Sequence, residues 1–179
     1  MLFRSRDEAA GLAGQIWDSR EKMVLDVPSG PADEMIDMAG AYAGKTVFIS
    51  DSGDNTTAGA PGDNTQVLDA LMRKGAVNAL VAGIVDPDAL KECLNAGFGN
   101  NVKLNLGGKK DHVFCKPIEI EAKVVFLSPD SLMESDRGAA VVENGGIKTV
   151  IIKSRRSFTT LRDFEEVGLD PLEDRKSVV

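Results

Sequence analysis

Imidazole is nearly absent from this sequence. His112 is the one histidine among 179 residues, and it sits in the polar stretch GKKDHVFCK, which reads as an exposed loop. A catalytic triad or a zinc site needs several convergent ligands, so the chain lacks the usual imidazoles for either. Cysteine is scarce too: Cys93 and Cys115 stand at no metal-ligand spacing and make no disulfide framework. Cys93 falls on an apolar helix face and reads as a buried structural thiol. Positive charge is in deficit, with 21 Lys and Arg against 28 Asp and Glu, for a net charge of -7. Phosphate affinity comes from clustered cations, so no nucleic acid and no anionic membrane surface is expected as a partner. The basic run KSRR at 153–156 reads as the solvated end of a strand. Long apolar runs are missing as well. Nothing approaches the ~20 residues of a spanning helix, and the N-terminus has no signal-peptide core, so a cytoplasmic protein with no membrane partner is expected.

What remains is the composition of an ordinary globular domain, 42% hydrophobic and 27% charged. The two ends stand apart from it. DRKSVV at 174–179 matches the translation of a common sequencing adapter with its stop codon, and LFRS after Met1 matches the opposite adapter. Residues 1–5 and 174–179 are therefore expected to be non-native, leaving one domain over 6–173 as a piece of a longer gene product.

Along the chain, Ala9, Leu12, Ala13, Ile16 and Trp17 recur at helical spacing and predict a helix leading into the domain. Pro31, Asp33 and Glu34 open a second helix that stops at Gly44, with Met35, Ile36, Ala39 and Tyr42 toward the core. KTVFIS at 45–50 predicts a buried strand. A helix carrying Val67, Leu68, Leu71 and Met72 then runs to Gly75. NALVAGIV at 78–85 reads as a strand covered on both faces. Asp86 as N-cap, Pro87 at the first position and Gly97 at the end bound the next helix. This order implies parallel pairing with right-handed crossovers. After VKLNLGGK the pattern becomes β-rich. Ile118, Ile120, Ala122, Val124 and Phe126 alternate on one face, and two β runs flank Asn144-Gly145-Gly146 as a hairpin. A short helix follows, capped by Thr159 or Thr160. The fold class is therefore α/β: a parallel βαβ core with helices on both faces, then an antiparallel β-rich C-terminal half.

The loop DSGDNTTAGAPGDNT, from Asp51 to Thr65, joins a strand's carboxyl end to a helix N-terminus, where open α/β sheets bind ligands. Gly53, Gly59 and Gly62 free the backbone, and helix-start amides favour an anion. The pattern is no nucleotide loop, because it has no lysine for a β/γ-phosphate and three aspartates would repel a polyanion. Asp51, Asp54 and Asp63 suit a hard cation in ligand type but not in EF-hand spacing. Turn and helix capping, with Asp63 or Asn64 as N-cap, is the simpler reading of these carboxylates.

The residues from Asp51 to Lys109 resemble the C-terminal domain of the MlrC family of microcystin-degradation-type metallopeptidases. Asp54, Asn55, Gly59, Ala60, Pro61, Gly62, Asp63 and Thr65 match its loop element. Asp86-Pro87, Ala96-Gly97 with Gly99, Leu106-Gly107-Gly108-Lys109 and FEEVGLDP match further motifs in order. Thr56, Thr57 and Ala58 depart from it, standing where many relatives have a proline followed by glycines. The resemblance implies a zinc-dependent hydrolase of peptide or amide bonds, whose metal ligands lie mainly in an N-terminal domain absent here. Zinc would polarise the carbonyl and lower the pKa of its bound water. On this view the chain is an accessory domain, inactive alone, with that metal-binding domain and a small peptide or amide substrate as partners. Asp51, Asp54, Asn55, Gly59, Gly62, Asp63 and Thr65 would line the shared active site. Two other readings stay open: a non-catalytic small-anion binding module and a purely structural domain.

Overall fold

The computed structural model describes residues 2–44, 46–110, 114–129, 136–172 and 176–178; His112 lies outside them. The chain falls into two units, Met1–Pro31 and Ala32–Val179.

The first unit holds helix α1 (Leu2–Ser19) and a 3-10 turn (Arg20–Lys22). The expected helix with one apolar face is present, and that face is exposed. Every residue from 5 to 31 is exposed, and Leu12, Ile16 and Trp17 keep 60%, 59% and 65% of their surface in solvent.

In the second unit, helix α2 (Ala32–Ala41) precedes strand β1 (Val47–Ile49). A 3-10 turn (Thr56–Ala58) lies in the long loop before helix α3 (Gln66–Arg73) and strand β2 (Ala79–Val85). Helix α4 (Pro87–Ala96) leads to strands β3 (Asn101–Leu106), β4 (Ile118–Leu127), β5 (Ala139–Asn144) and β6 (Ile147–Ile152). Helix α5 (Leu161–Glu165) and strand β7 (Lys176–Val178) close the described chain. The strands form one sheet in the order β1-β7-β2-β6-β5-β4-β3. β1, β7, β2 and β6 run parallel, whereas β6, β5, β4 and β3 pair antiparallel. The expected α/β architecture is thus present, with one addition. β7, within the tail expected to be non-native, lies between β1 and β2, so the two strands of the first crossover are not neighbours.

Period-two alternation divides the core in two. Ala140, Val142, Ile147 and Ile151 face Leu68, Leu71, Leu90 and Cys93 on the side of α2, α3 and α4. Ala139, Val141, Val150 and Ile152 face Phe158, Phe164 and Val167 on the side of α5. Helices therefore cover both faces of the central strands, which is why β2 reads as continuously apolar. Burial, aided by the nearby Glu92 and Asp86 charges, pushes the Cys93 thiol up to about 12, so it stays protonated as expected of a structural cysteine.

Several local expectations shift. β1 is half-exposed rather than buried, with Phe48 52% accessible. In α2 only Ile36 and Ala39 are buried, while Tyr42 lies beyond the helix end and is exposed. Register slips between Val124 and Phe126, so Phe126 leaves the face of Ile120, Ala122 and Val124 and packs with the α5 side. A second slip, between Val81 and Ile84, has Gly83 at φ +91 within it. The hairpin turns through Gly145 and Gly146 at φ +58 and +84, as its sequence demands. Thr160 is the residue before α5. Its amide and hydroxyl donate to the Asp163 carboxylate at 2.7 and 2.8 Å.

Candidate functional site

β2 and β6 run parallel, so the chain leaving β6 emerges beside the loop between β1 and α3. A cavity of about 250 Å³ lies there, at the carboxyl ends of the strands. Its walls are Ser50, Asp51, Asp54, Asn55, Thr56, Thr57, Gly62 and Asn64 from the loop, Val67, residues 81–84 of β2, and Arg156, Ser157, Phe158 and Thr159 from the segment after β6. The Arg156 guanidinium stacks on the Phe158 ring, 5.0 Å from its centroid, and its Nη1 lies 3.6 Å from Glu166 Oε2. KSRR is therefore more than a solvated strand end. Arg156 is a cavity wall, and Arg155 Nη1 donates to the carbonyls of Gly59 and Ala60 at 3.3 and 3.4 Å. These residues escape a sequence reading because only the β2–β6 pairing brings them to the loop.

The expected site residues separate into those that line the cavity and those that do not. Asp51, Asp54, Asn55 and Gly62 line it, while Gly59, Asp63 and Thr65 lie elsewhere. Even the lining carboxylates are engaged by their own loop. Asp54 accepts the Gly62 N–H on Oδ1 at 2.8 Å and the Asn64 N–H on Oδ2 at 2.9 Å, pinning the loop's two limbs together. Asn55 Oδ1 accepts from the Thr57 amide, the Thr57 hydroxyl and the Ala58 amide, which caps the 3-10 turn. Asp51 Oδ1 accepts the Gly53 N–H at 2.7 Å. Gly62 is required by space and by φ: at +74, a Cβ there would lie 2.5 Å from Thr56 Cγ2 and 2.8 Å from Val85 Cγ2.

Away from the cavity, three separated motifs meet in one buried knot. Asp63 Oδ2 accepts the Lys109 and Lys110 amides at 2.8 and 2.7 Å, and its carbonyl accepts the Gly108 amide at 2.7 Å. Asp86 Oδ1 caps α4 through the Ala89 amide at 3.1 Å and meets Lys109 Nζ at 2.9 Å; its Oδ2 accepts the Gly107 amide at 2.9 Å. The Thr65 hydroxyl donates to the Lys116 carbonyl at 2.9 Å, and the Thr65 amide donates to Cys115 Sγ at 3.1 Å. Two glycines make the approach possible. A Cβ on Gly107 would lie 2.5 Å from Thr65 Cγ2 and 2.6 Å from the Asp63 carbonyl oxygen, and one on Gly108 would lie 2.3 Å from the Lys116 backbone. The expectation that Asp63 or Asn64 is the N-cap fails: Thr65 is the residue before α3 and makes no side-chain cap bond, the Asp63 carboxylate reaches the 107–110 turn, and Asn64 Oδ1 accepts the Gln66 amide at 2.8 Å from one position further back.

This donor set does not fit a metal centre. Among the described residues, no three His, Cys, Asp or Glu side chains group as one. Asp54, Asp63 and Asp86 already accept backbone amides, and of their carboxylate oxygens Asp63 Oδ1 is the one buried without a partner among the described residues. No helix among the described residues is long and apolar enough to cross a membrane.

The model of the family described as MlrC C-terminus matches residues 49–179. The chain belongs to this family. The MlrC C-terminal match takes in the loop, the knot and the cavity walls alike. Microcystinase C from Sphingomonas sp. is 23% identical over 188 aligned residues, taking in 98% of this chain and 37% of the relative. A crystal structure from Mesorhizobium sp. BNC1, named "putative metallopeptidase", superposes with a TM-score of 0.77 at 17% identity, over 94% of this chain and 35% of its own. The chain thus spans little more than a third of either relative.

Proposed function

We propose that this MlrC C-terminal domain serves a metal-dependent hydrolase of peptide or amide bonds, forming one wall of an active site completed by the rest of a longer polypeptide. The observation that carries the reading is the cavity at the carboxyl ends of β2 and β6, where a cationic side chain, an aromatic ring and several hydroxyls converge. Relatives named microcystinase and metallopeptidase, each nearly three times the matched length, support the reaction class.

Within this domain the roles divide. Arg156, steadied on Phe158, binds and orients a polar substrate group, and Ser157, Thr159 and Asn55 offer further hydrogen bonds at the rim. Asp54 braces the wall rather than touching substrate, because both its oxygens are held by backbone amides, while Asp63, away from the cavity, ties the loop to the 107–110 turn through Oδ2. The metal, zinc on the family resemblance, belongs to the remainder of the polypeptide, and this chain alone is inactive. A cytoplasmic location goes with the same reading.

The test is to recover the flanking gene and assay the long and short forms side by side. Hydrolysis of small peptides by the long form, abolished by a chelator and absent from the 179-residue chain, is the expected result. Arg156→Ala should raise KM by about tenfold, the size of one lost charge-assisted contact. Activity of the short chain alone, or chelator-resistant activity of the long form, overturns the proposal.

A further inference from the structure

Helix α1 has no visible reason to be stable in the state the structure shows. Isolated helices of its length are marginal in water, and it carries Gly11 and Gly14, each of which weakens a helix interior. Its sequence nevertheless gathers apolar residues on one face. At 100° per residue, Ala9, Leu12, Ala13 and Ile16 share one face with Trp17 at one edge, while Asp7 and Asp18 lie opposite and Glu8 and Gln15 flank the side of Leu12. That face is solvent-exposed along its length, and the exposure continues through Met23, Val24, Leu25 and Val27. Arg20 covers one side of the Trp17 ring, with its guanidinium carbon 4.4 Å from the centroid.

What covers this stripe is indicated by the relatives. Alignment with Microcystinase C takes in 98% of this chain, so α1 lies within what the two share, yet nearly two-thirds of the relative lies outside the alignment. The matching family is described as the C-terminus of its proteins, which places that remaining length mainly before α1. We infer that the apolar face of α1 docks intramolecularly into an apolar groove on the preceding part of the full-length polypeptide. The inference rests on the proposed function only in taking that preceding part to exist. Docking would then stabilise the helix and seat the two parts of the protein on each other.

Hydrogen exchange resolved by peptide separates the outcomes, comparing the 179-residue chain with the long form recovered from the flanking gene. In the short chain, amides of 8–19 should exchange nearly as fast as unstructured ones. In the long form they should slow by about tenfold or more. Leu12→Glu with Ile16→Glu should remove the protection in the long form while leaving the amides of β5 and β6 protected. Three results overturn the inference: equal fast exchange in both forms, concentration-independent protection already in the short chain, which means α1 folds onto its own domain, or protection that rises with short-chain concentration, which means a second copy covers it. A long form that protects α1 but hydrolyses nothing would sink the proposed function and leave this inference standing.

Discussion

Asp51 and Asp63 stand at opposite ends of one loop, and they live in different physical worlds. Asp63 is 2% exposed and ties the loop to the turn after β3 through backbone amides, whereas Asp51 faces a cavity and closes only a two-residue turn. The motif that contains both gives no hint of the division. A carboxylate buried against N–H groups holds chain segments in register, and one at a cavity rim keeps lone pairs for a ligand. The family signature therefore reports architecture at least as much as chemistry. Arg156 and its neighbours on the cavity wall lie outside the motif.

Asp86→Ala is the sharpest way to break this comparison. It strands Lys109 and leaves the Gly107 and Ala89 amides without their acceptor in a buried site, so unfolding in urea should show a loss of about 3–5 kcal/mol. Lys109→Met should cost less, because the buried Asp86 carboxylate, though left without its counter-charge, keeps both amide partners. Equal losses for the two variants would mean that the ion pair, not the amide network, holds the knot.

Asp63→Ala comes next. Two amides of the 107–110 turn lose their carboxylate acceptor, and a loss of about 2–4 kcal/mol is expected from the same urea curves. A loss in long-form turnover larger than the lost folded fraction would move Asp63 from the knot to the active site.

Much of this arrangement was legible in the sequence. The α4 boundaries follow from Asp86, Pro87 and Gly97, and the hairpin follows from Gly145 and Gly146, because caps and two-residue turns are local chemistry. Burial on both faces of β2 also showed as an unbroken apolar run. What failed was non-local. The slip after Val124 sends Phe126 to the other face, an outcome no period-two count contains. α1 has a core-like pattern without a core, since periodicity states that a face is apolar and not what covers it. Arg155 and Arg156 looked like a solvated charge run until the parallel pairing of β2 and β6 set them against the loop.

Asp54→Ala tests the middle ground, since Asp54 lines the cavity yet binds two amides. The loss of those bonds from a half-buried site predicts about 1–2 kcal/mol, with faster exchange at the Gly62 and Asn64 amides as a local signature.

Asp51→Ala should have the smallest effect on folding, within about 0.5 kcal/mol, because it removes one turn-closing bond to an amide that water can satisfy. Its value lies in that small size. If the rim is the functional part of the loop, Asp51→Ala in the long form should change KM or kcat while the melting temperature hardly moves. Asp63→Ala should show the reverse, lower stability with unchanged kinetics per folded molecule. Should Asp51→Ala leave kinetics untouched as well, the loop's contribution to the cavity would be shape alone, and Arg156 would remain as its recognition group.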